Sequence, residues 1–174
     1  MSQNEQYAMA KPKVVLVGNP NVGKSVMFNN LTGSYVTVSN YPGTTVEVSR
    51  GTGRVGDIEV EVIDTPGMYS LLPITEEERV ARNIILEEHP SVVLHIADAK
   101  NLERMLGLTV QLVEAGLPTI LVLNMMDELR TLGKQVNIDL LQARLRIPVV
   151  PAVATAREGM DLVAQRIRDY VCKT

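Results

Sequence analysis

The sequence predicts an α/β domain: a mainly parallel sheet of six strands with one antiparallel edge strand, and helices on both faces. Three observations predict it. Short apolar runs rich in Val and Ile, at residues 14–17, 92–97 and 119–123, alternate with amphipathic segments of helical length. Strand followed by helix demands a crossover, which makes successive strands parallel and covers both faces of the sheet. Gly56 and Asp57 separate two alternating runs, 45–55 and 58–63, the mark of an antiparallel hairpin that is placed at one edge.

In chain order, residues 1–12 are polar, end at Pro12 and read as a flexible lead-in, so the fold proper is expected over 13–174. The run 14–17 is the first strand and 25–31 the first helix. Residues 32–44 and 65–78 are turn-rich and poor in apolar side chains, which predicts two mobile functional loops. At the end of the second, Glu76, Glu77 and Glu78 read as the charged first turn of a helix, favoured by its dipole, rather than as a metal site. Strands at 92–97, 119–123 and 149–150 and helices at 103–114, 138–145 and 160–171 complete the order. His95 falls in an apolar strand pattern and is expected to be a packed core residue, and Met105 to be core filler.

With 174 residues and 45% hydrophobic content, one domain with a substantial core is expected. A net charge of -3 offers no basic face, which argues against a nucleic-acid partner. The lone cysteine, Cys172, excludes a disulfide framework and is expected to be buried or half-exposed in a reducing cytosol. No apolar run reaches the roughly twenty residues of a membrane span, and the start lacks the apolar middle of a secretory signal. The chain by itself is therefore expected to be soluble.

The stretch GNPNVGKS, residues 18–25, fits G-x-x-x-x-G-K-[ST] in full and sits between a strand and a helix, the context a phosphate loop requires. Backbone amides from Gly18, Asn19, Asn21 and Val22 through to Val26 are expected around phosphate oxygens, and Gly23 permits the close approach. Lys24 would reach the terminal phosphates, and the Ser25 hydroxyl would ligate magnesium.

A phosphate loop does not choose the nucleotide; NMMD, Asn124 to Asp127, does. An Asp at the end of a strand can accept from the N1 and exocyclic N2 groups of guanine, a donor pair adenine lacks. Met125 stands where the similar N-K-x-D motif has lysine, and its apolar stem can still stack on the base. In DTPG, Asp64 would hold a magnesium-bound water and the Gly67 amide would sense the terminal phosphate. In PGTTVE, Gly43, Thr44 and Thr45 are expected to close over the nucleotide, with Thr45 favoured as the magnesium ligand. The last base-contacting loop is expected at Val153, Ala154 and Thr155, where the Ala154 amide could donate to guanine O6. Together these motifs make the predicted fold a Ras-like P-loop GTPase. Met68 occupies the position where many GTPases place a water-orienting glutamine.

GNPNVGKS, NYPGTTVE, DTPGMYSLLPITEEERVAR, DAKNLERMLGLTVQL and LNMMDE together resemble the cytosolic G domain of the bacterial ferrous-iron transporter FeoB family, over nearly everything from Lys13 to Asp161. The resemblance implies a GTP-hydrolysing switch, bound to GTP or GDP and magnesium, on the cytoplasmic side of the inner membrane, with the membrane part of its parent transporter as partner. The family places a helical guanine-dissociation-inhibitor domain and membrane helices after the G domain. Neither is expected within this sequence, which reads as an excised fragment. In such potassium-activated GTPases the asparagine matching Asn21 helps hold potassium against the phosphates, and carbonyls near Asn40 and Tyr41 would complete the shell. Lys24, Thr45, Gly67 and Asn21 are thus the candidate catalytic set. A stand-alone GTPase of ribosome or tRNA maturation, and a nucleotide-sensing module with negligible hydrolysis, share the same motifs. The long switch beside an edge strand leaves room for self-association or exchange of a segment between copies.

Overall fold

A computed structural model describes residues 10–173. The chain runs β1 (Lys13–Val17), α1 (Lys24–Leu31), β2 (Thr32–Asn40), β3 (Glu47–Val55), β4 (Ile58–Asp64), α2 (Glu76–Glu87), β5 (Val92–Asp98), α3 (Leu102–Glu114), β6 (Thr119–Asn124), α4 (Met126–Thr131), α5 (Ile138–Leu145), β7 (Val149–Pro151) and α6 (Met160–Val171). Single 3-10 turns at 99–101 and 154–156 precede α3 and α6. The flexible lead-in expected over residues 1–12 lies, through residue 9, outside the described residues. The Pro12 carbonyl accepts from Glu61 N at 2.9 Å, alongside the first β1–β4 pair.

The strands form a seven-stranded sheet in the order β2-β3-β4-β1-β5-β6-β7. β1 pairs in parallel with both β4 and β5, so the chain winds outward from β1 in both directions. That topology opens a crevice at the carboxyl ends of the strands, where ligands of such sheets sit. Alternation along β1 divides the core: Val14 and Leu16 pack with Met27 and Phe28 of α1 and Val163 and Ile167 of α6. Val15 and Val17 pack with Val80, Ile84 and Ile85 of α2 and Leu108 and Leu112 of α3 on the other face.

Three expectations need correction. The sheet has seven strands instead of six, because residues 32–40, read as a loop, form β2. The hairpin at Gly56–Asp57 is present, with Gly56 at φ 66°, but it joins β3 to β4 and β2 lies outside it. The antiparallel strand β3 is therefore one position in from the edge. Burial explains why the sequence hides β2: Tyr35, Val36 and Val38 are all exposed, so no buried face imprints a period of two, and the strand is held by its ladder to β3. Cys172 is exposed at the end of α6, since it caps the helix instead of lying within its buried stripe. His95 meets its expectation: it is fully buried, and its Nδ1 lies 2.9 Å from Thr109 Oγ1. Met105 is likewise buried. Among the described residues no helix is long and apolar enough to cross a membrane.

Candidate nucleotide site

The loop between β1 and α1 emerges at the crevice. Its geometry depends on two glycines. A Cβ on Gly18 would sit 2.3 Å from the Ile96 carbonyl oxygen, and one on Gly23, at φ 94°, would sit 2.3 Å from Asn124 Nδ2. Asn21 adopts φ 63°, in the left-handed region that asparagine tolerates better than most residues. Its side chain is exposed and forms no intramolecular hydrogen bond among the described residues, so it does not brace the loop.

Lys24 begins α1 half-buried, and burial lowers its pKa while the nearby Asp64 carboxylate raises it. Asp64 ends β4. Burial raises its pKa, opposed by Lys24 and by the Ser25 hydroxyl, which donates to Oδ2 at 3.2 Å. Its other oxygen, Oδ1, is buried without a hydrogen-bond partner among the described residues. A hydroxyl beside a carboxylate that keeps one idle oxygen is a hard-oxygen donor set, so Ser25 and Asp64 fit the magnesium ion that the motifs call for.

The loop after β4 begins at Thr65, whose hydroxyl donates to the Leu16 carbonyl at 2.7 Å and fixes it against β1. Gly67 lies so close to Pro20 that a Cβ there would meet the ring at 2.7 Å. Met68 is fully buried among Val15, Val80 and Ile84, and its amide donates to the Gly18 carbonyl at 3.0 Å. In the segment before β3, the Thr44 hydroxyl donates to the Tyr41 carbonyl at 2.9 Å and accepts from Val46 N at 3.1 Å. The Thr45 side chain is exposed with no partner among the described residues. Of the two candidate threonines, Thr45 is the one with a hydroxyl to spare. The Tyr41 carbonyl also accepts from Thr44 N at 3.0 Å, so both its lone pairs are engaged and it has none left for a cation in this arrangement.

Beyond α1, a cavity of about 300 Å³ has Asn21, Gly23 and Val26 on one wall and Met125, Asp127, Val153 and Thr155 on the other. Asn124 joins the walls. Its Nδ2 donates to the Val22 carbonyl and its Oδ1 accepts from Ala154 N, each at 2.9 Å, and the side chain is 4% exposed. This bond removes the donor expected at Ala154: that amide is consumed, while the next one, of the cavity-lining Thr155, has no partner among the described residues. Asp127 does not cap α4; Met125 holds the cap position at φ 62°, and the Asp127 carboxylate is exposed without a partner among the described residues. Lys100, from the turn after β5, brings its Nζ to 3.7 Å from Met125 Sδ and pairs with Glu128. A cation thus stands beside the methionine that replaces the motif's lysine. Contacts join the phosphate loop to Asp64, to Gly67 and to the residues that line the cavity. Gly43 is open, so a Cβ added there would meet nothing within 4 Å, and Asn19 faces a neighbouring cavity shared with Tyr69 and Arg104.

Two further residues received no role at the site from the sequence. Glu78 is buried, and its carboxylate accepts from the amides of Tyr69 (3.3 Å), Ile74 (2.9 Å) and Thr75 (3.3 Å), holding its pKa down. Gln111 accepts from Leu71 N at 2.7 Å and from the Ser70 hydroxyl. Together they order the segment predicted to be mobile. The Thr75-to-Glu78 spacing, a capping box in the structure, is the available signal for Glu78; Gln111 carries none.

A sequence model of the family described as "Ferrous iron transport protein B" matches residues 12–167. This chain belongs to the FeoB family. It is 46% identical over 149 residues to a Fe(2+) transport protein A/Fe(2+) transporter FeoB fusion protein of Porphyromonas gingivalis, covering 85% of this chain and 18% of that protein. Against the Fe(2+) transporter FeoB of Escherichia coli K12 it is 41% identical over 166 residues, covering 93% and 22% respectively. The chain thus spans about a fifth of the curated relatives' length. Among solved structures, the FeoB G domain of Methanococcus jannaschii superposes with a TM-score of 0.81 at 37% identity, covering 94% of this chain and 99% of that one. The cytosolic domain of Thermotoga maritima FeoB in its GDP form gives a TM-score of 0.88 at 35% identity, covering 92% and 63%. The fold is that of the FeoB G domain.

Proposed function

We propose that this chain binds guanine nucleotides with magnesium, hydrolyses GTP to GDP and phosphate, and serves as the cytoplasmic switch of a ferrous-iron transporter. The observation that carries the reading is one cavity lined both by Asp127, whose carboxylate has no partner among the described residues, and by Thr155, whose amide has none. Guanine presents the complement, two donors at N1 and N2 and an acceptor at O6, whereas adenine presents a donor where guanine has O6. The GDP form of the Thermotoga maritima relative supports the same choice.

In this reading Lys24, made less costly to bury by Asp64, offsets the charge of the terminal phosphates. Bound magnesium would be held by Ser25 and Thr45, with Asp64 acting through a water, and would supply charge neutralisation at the terminal phosphate. The Thr45 hydroxyl and the Gly67 amide meet that phosphate when the two switches close. Met68 stands in the place of glutamine but points into the core, so the attacking water is oriented by switch backbone. Asn21, with its side chain uncommitted, is the potassium ligand contributed by the phosphate loop, and carbonyls near Asn40 and Tyr41 would complete the shell once the switch rearranges to close. Residues 13–174 act as the G domain, with the helical and membrane portions of the transporter as its partners.

Multiple-turnover phosphate release from GTP and ATP, in potassium and in sodium, tests this. Turnover should require GTP and run faster in potassium, and Asn21→Ala should erase the potassium advantage. Binding without turnover would leave a nucleotide-sensing module, and equal rates in the two salts would remove Asn21 from the catalytic set.

A further inference from the structure

β2 is the outermost strand, and its sequence, TGSYVTVSN, contains no charged residue and no proline. Long uncharged edges are what soluble proteins ordinarily avoid, using charge, proline or bulges, because a row of free amides and carbonyls recruits another strand. Here the pairing with β3 shifts between Thr32 and Val36, so a bulge protects the start of the edge. From Val36 to Asn40 the register is regular, and among the described residues no strand pairs with the other side of β2. Tyr41 N donates to the Val46 carbonyl at 2.8 Å, so the alternation of an antiparallel ladder turns Ser39 and Thr37 towards β3 and leaves the backbone groups of Val36, Val38 and Asn40 facing outward. Val36 and Val38 are also 43% and 57% exposed, on one face of the sheet.

We infer that this edge pairs with the same edge of a second copy of the chain, antiparallel about a two-fold axis at Thr37. A two-fold contact needs a strand complementary to itself, and an uncharged one is: no like charges meet. With Thr37 opposite Thr37 of the other copy, Val36 faces the other copy's Val38 as an outward hydrogen-bonded pair. The four valines then form one stripe on one face. Registers one residue away place a valine opposite a polar threonine and split that stripe. With the axis at Thr37, only Val36, Thr37 and Val38 of each copy pair within the regular stretch, a ladder that falls well short of the roughly 1,200–2,000 Å² that stable interfaces bury, so the dimer is weak and dissociates on dilution. A charged partner strand would find no opposite charge on this edge, whereas a second copy brings the same uncharged strand, which is the reason for choosing it as occupant.

Sedimentation equilibrium of the full chain without nucleotide, up to the high micromolar range, tests the inference apart from the nucleotide reading. A monomer–dimer equilibrium is expected, weakened about tenfold or more by Val38→Lys, with the thermal midpoint unchanged because Val38 is exposed. In a Cys172→Ser background, Thr37→Cys should oxidise to a disulfide-linked dimer and Arg54→Cys, exposed on β3, should not. A chain that stays monomeric throughout, a dimer indifferent to Val38→Lys, or equal cross-linking at both cysteines would each overturn it.

Discussion

Asn124→Ala is the substitution through which the site's construction can be weighed. Among the described residues its amide is the only side-chain link between the phosphate loop and the loop after β7, with 2.9 Å bonds to the Val22 carbonyl and from the Ala154 amide, and it is 4% exposed. Alanine leaves both buried backbone groups without partners, each costing about 1–3 kcal/mol, so the loss is about 2–6 kcal/mol before any water enters. Against a typical stability of about 5–15 kcal/mol that is severe, and at about 2–4 °C per kcal/mol it corresponds to a thermal midpoint lowered by roughly 10 °C. Asn124→Asp should be no better, since it keeps the acceptor for Ala154 but sets a carboxylate against the Val22 carbonyl. Differential scanning calorimetry of nucleotide-free protein gives the first readout and titration with a fluorescent GDP analogue the second, which should show markedly weaker binding. A variant melting within about 2 °C of the parent would refute the cross-link argument. Lost affinity with unchanged stability would instead mean that Asn124 acts only through the ligand.

Three other outcomes follow from the same geometry. Lys24→Ala should abolish nucleotide binding, whereas Thr45→Ala, whose hydroxyl is uncommitted, should leave GDP affinity intact and slow turnover by about two orders of magnitude; equilibrium titration beside phosphate release separates the two. Gly67→Ala forces a methyl to 2.7 Å from the Pro20 ring, so the loop must shift; GDP binding should survive and GTP turnover fall, read by the same pair of assays. His95 is fully buried with a pKa pushed down to about 4, so between that value and its ordinary 6.5 the unfolded chain binds the extra proton. Stability should therefore fall as pH drops through this window, by up to about 1.4 kcal/mol per pH unit from this group, and His95→Phe with Thr109→Val should flatten that limb in urea melts at successive pH values.

The phosphate loop, DTPG and NMMD are legible because each is a contiguous run whose chemistry is local: backbone amides, a lysine and a carboxylate at fixed offsets. The helices α3, α5 and α6 are legible because each keeps one apolar stripe; α5 and α6 match to the residue. β2 is hidden because exposed strands leave no burial pattern. The donor at Thr155 is hidden because it depends on Asn124 reaching 30 positions along the chain to occupy Ala154 first. Glu78 looks like one of three equivalent carboxylates at a helix start; the capping-box spacing from Thr75 marks it locally, but its hold on the Tyr69–Thr75 segment shows only in its burial there.

Isothermal titration with GDP and ADP, each with and without magnesium, bears most directly on the whole account. It predicts tight, magnesium-strengthened binding of GDP, little or none of ADP, and a switch of preference to xanthosine diphosphate in Asp127→Asn, because the amide then supplies a donor where the carboxylate accepted. Equal affinity for GDP and ADP, or a preference untouched by Asp127→Asn, would contradict it.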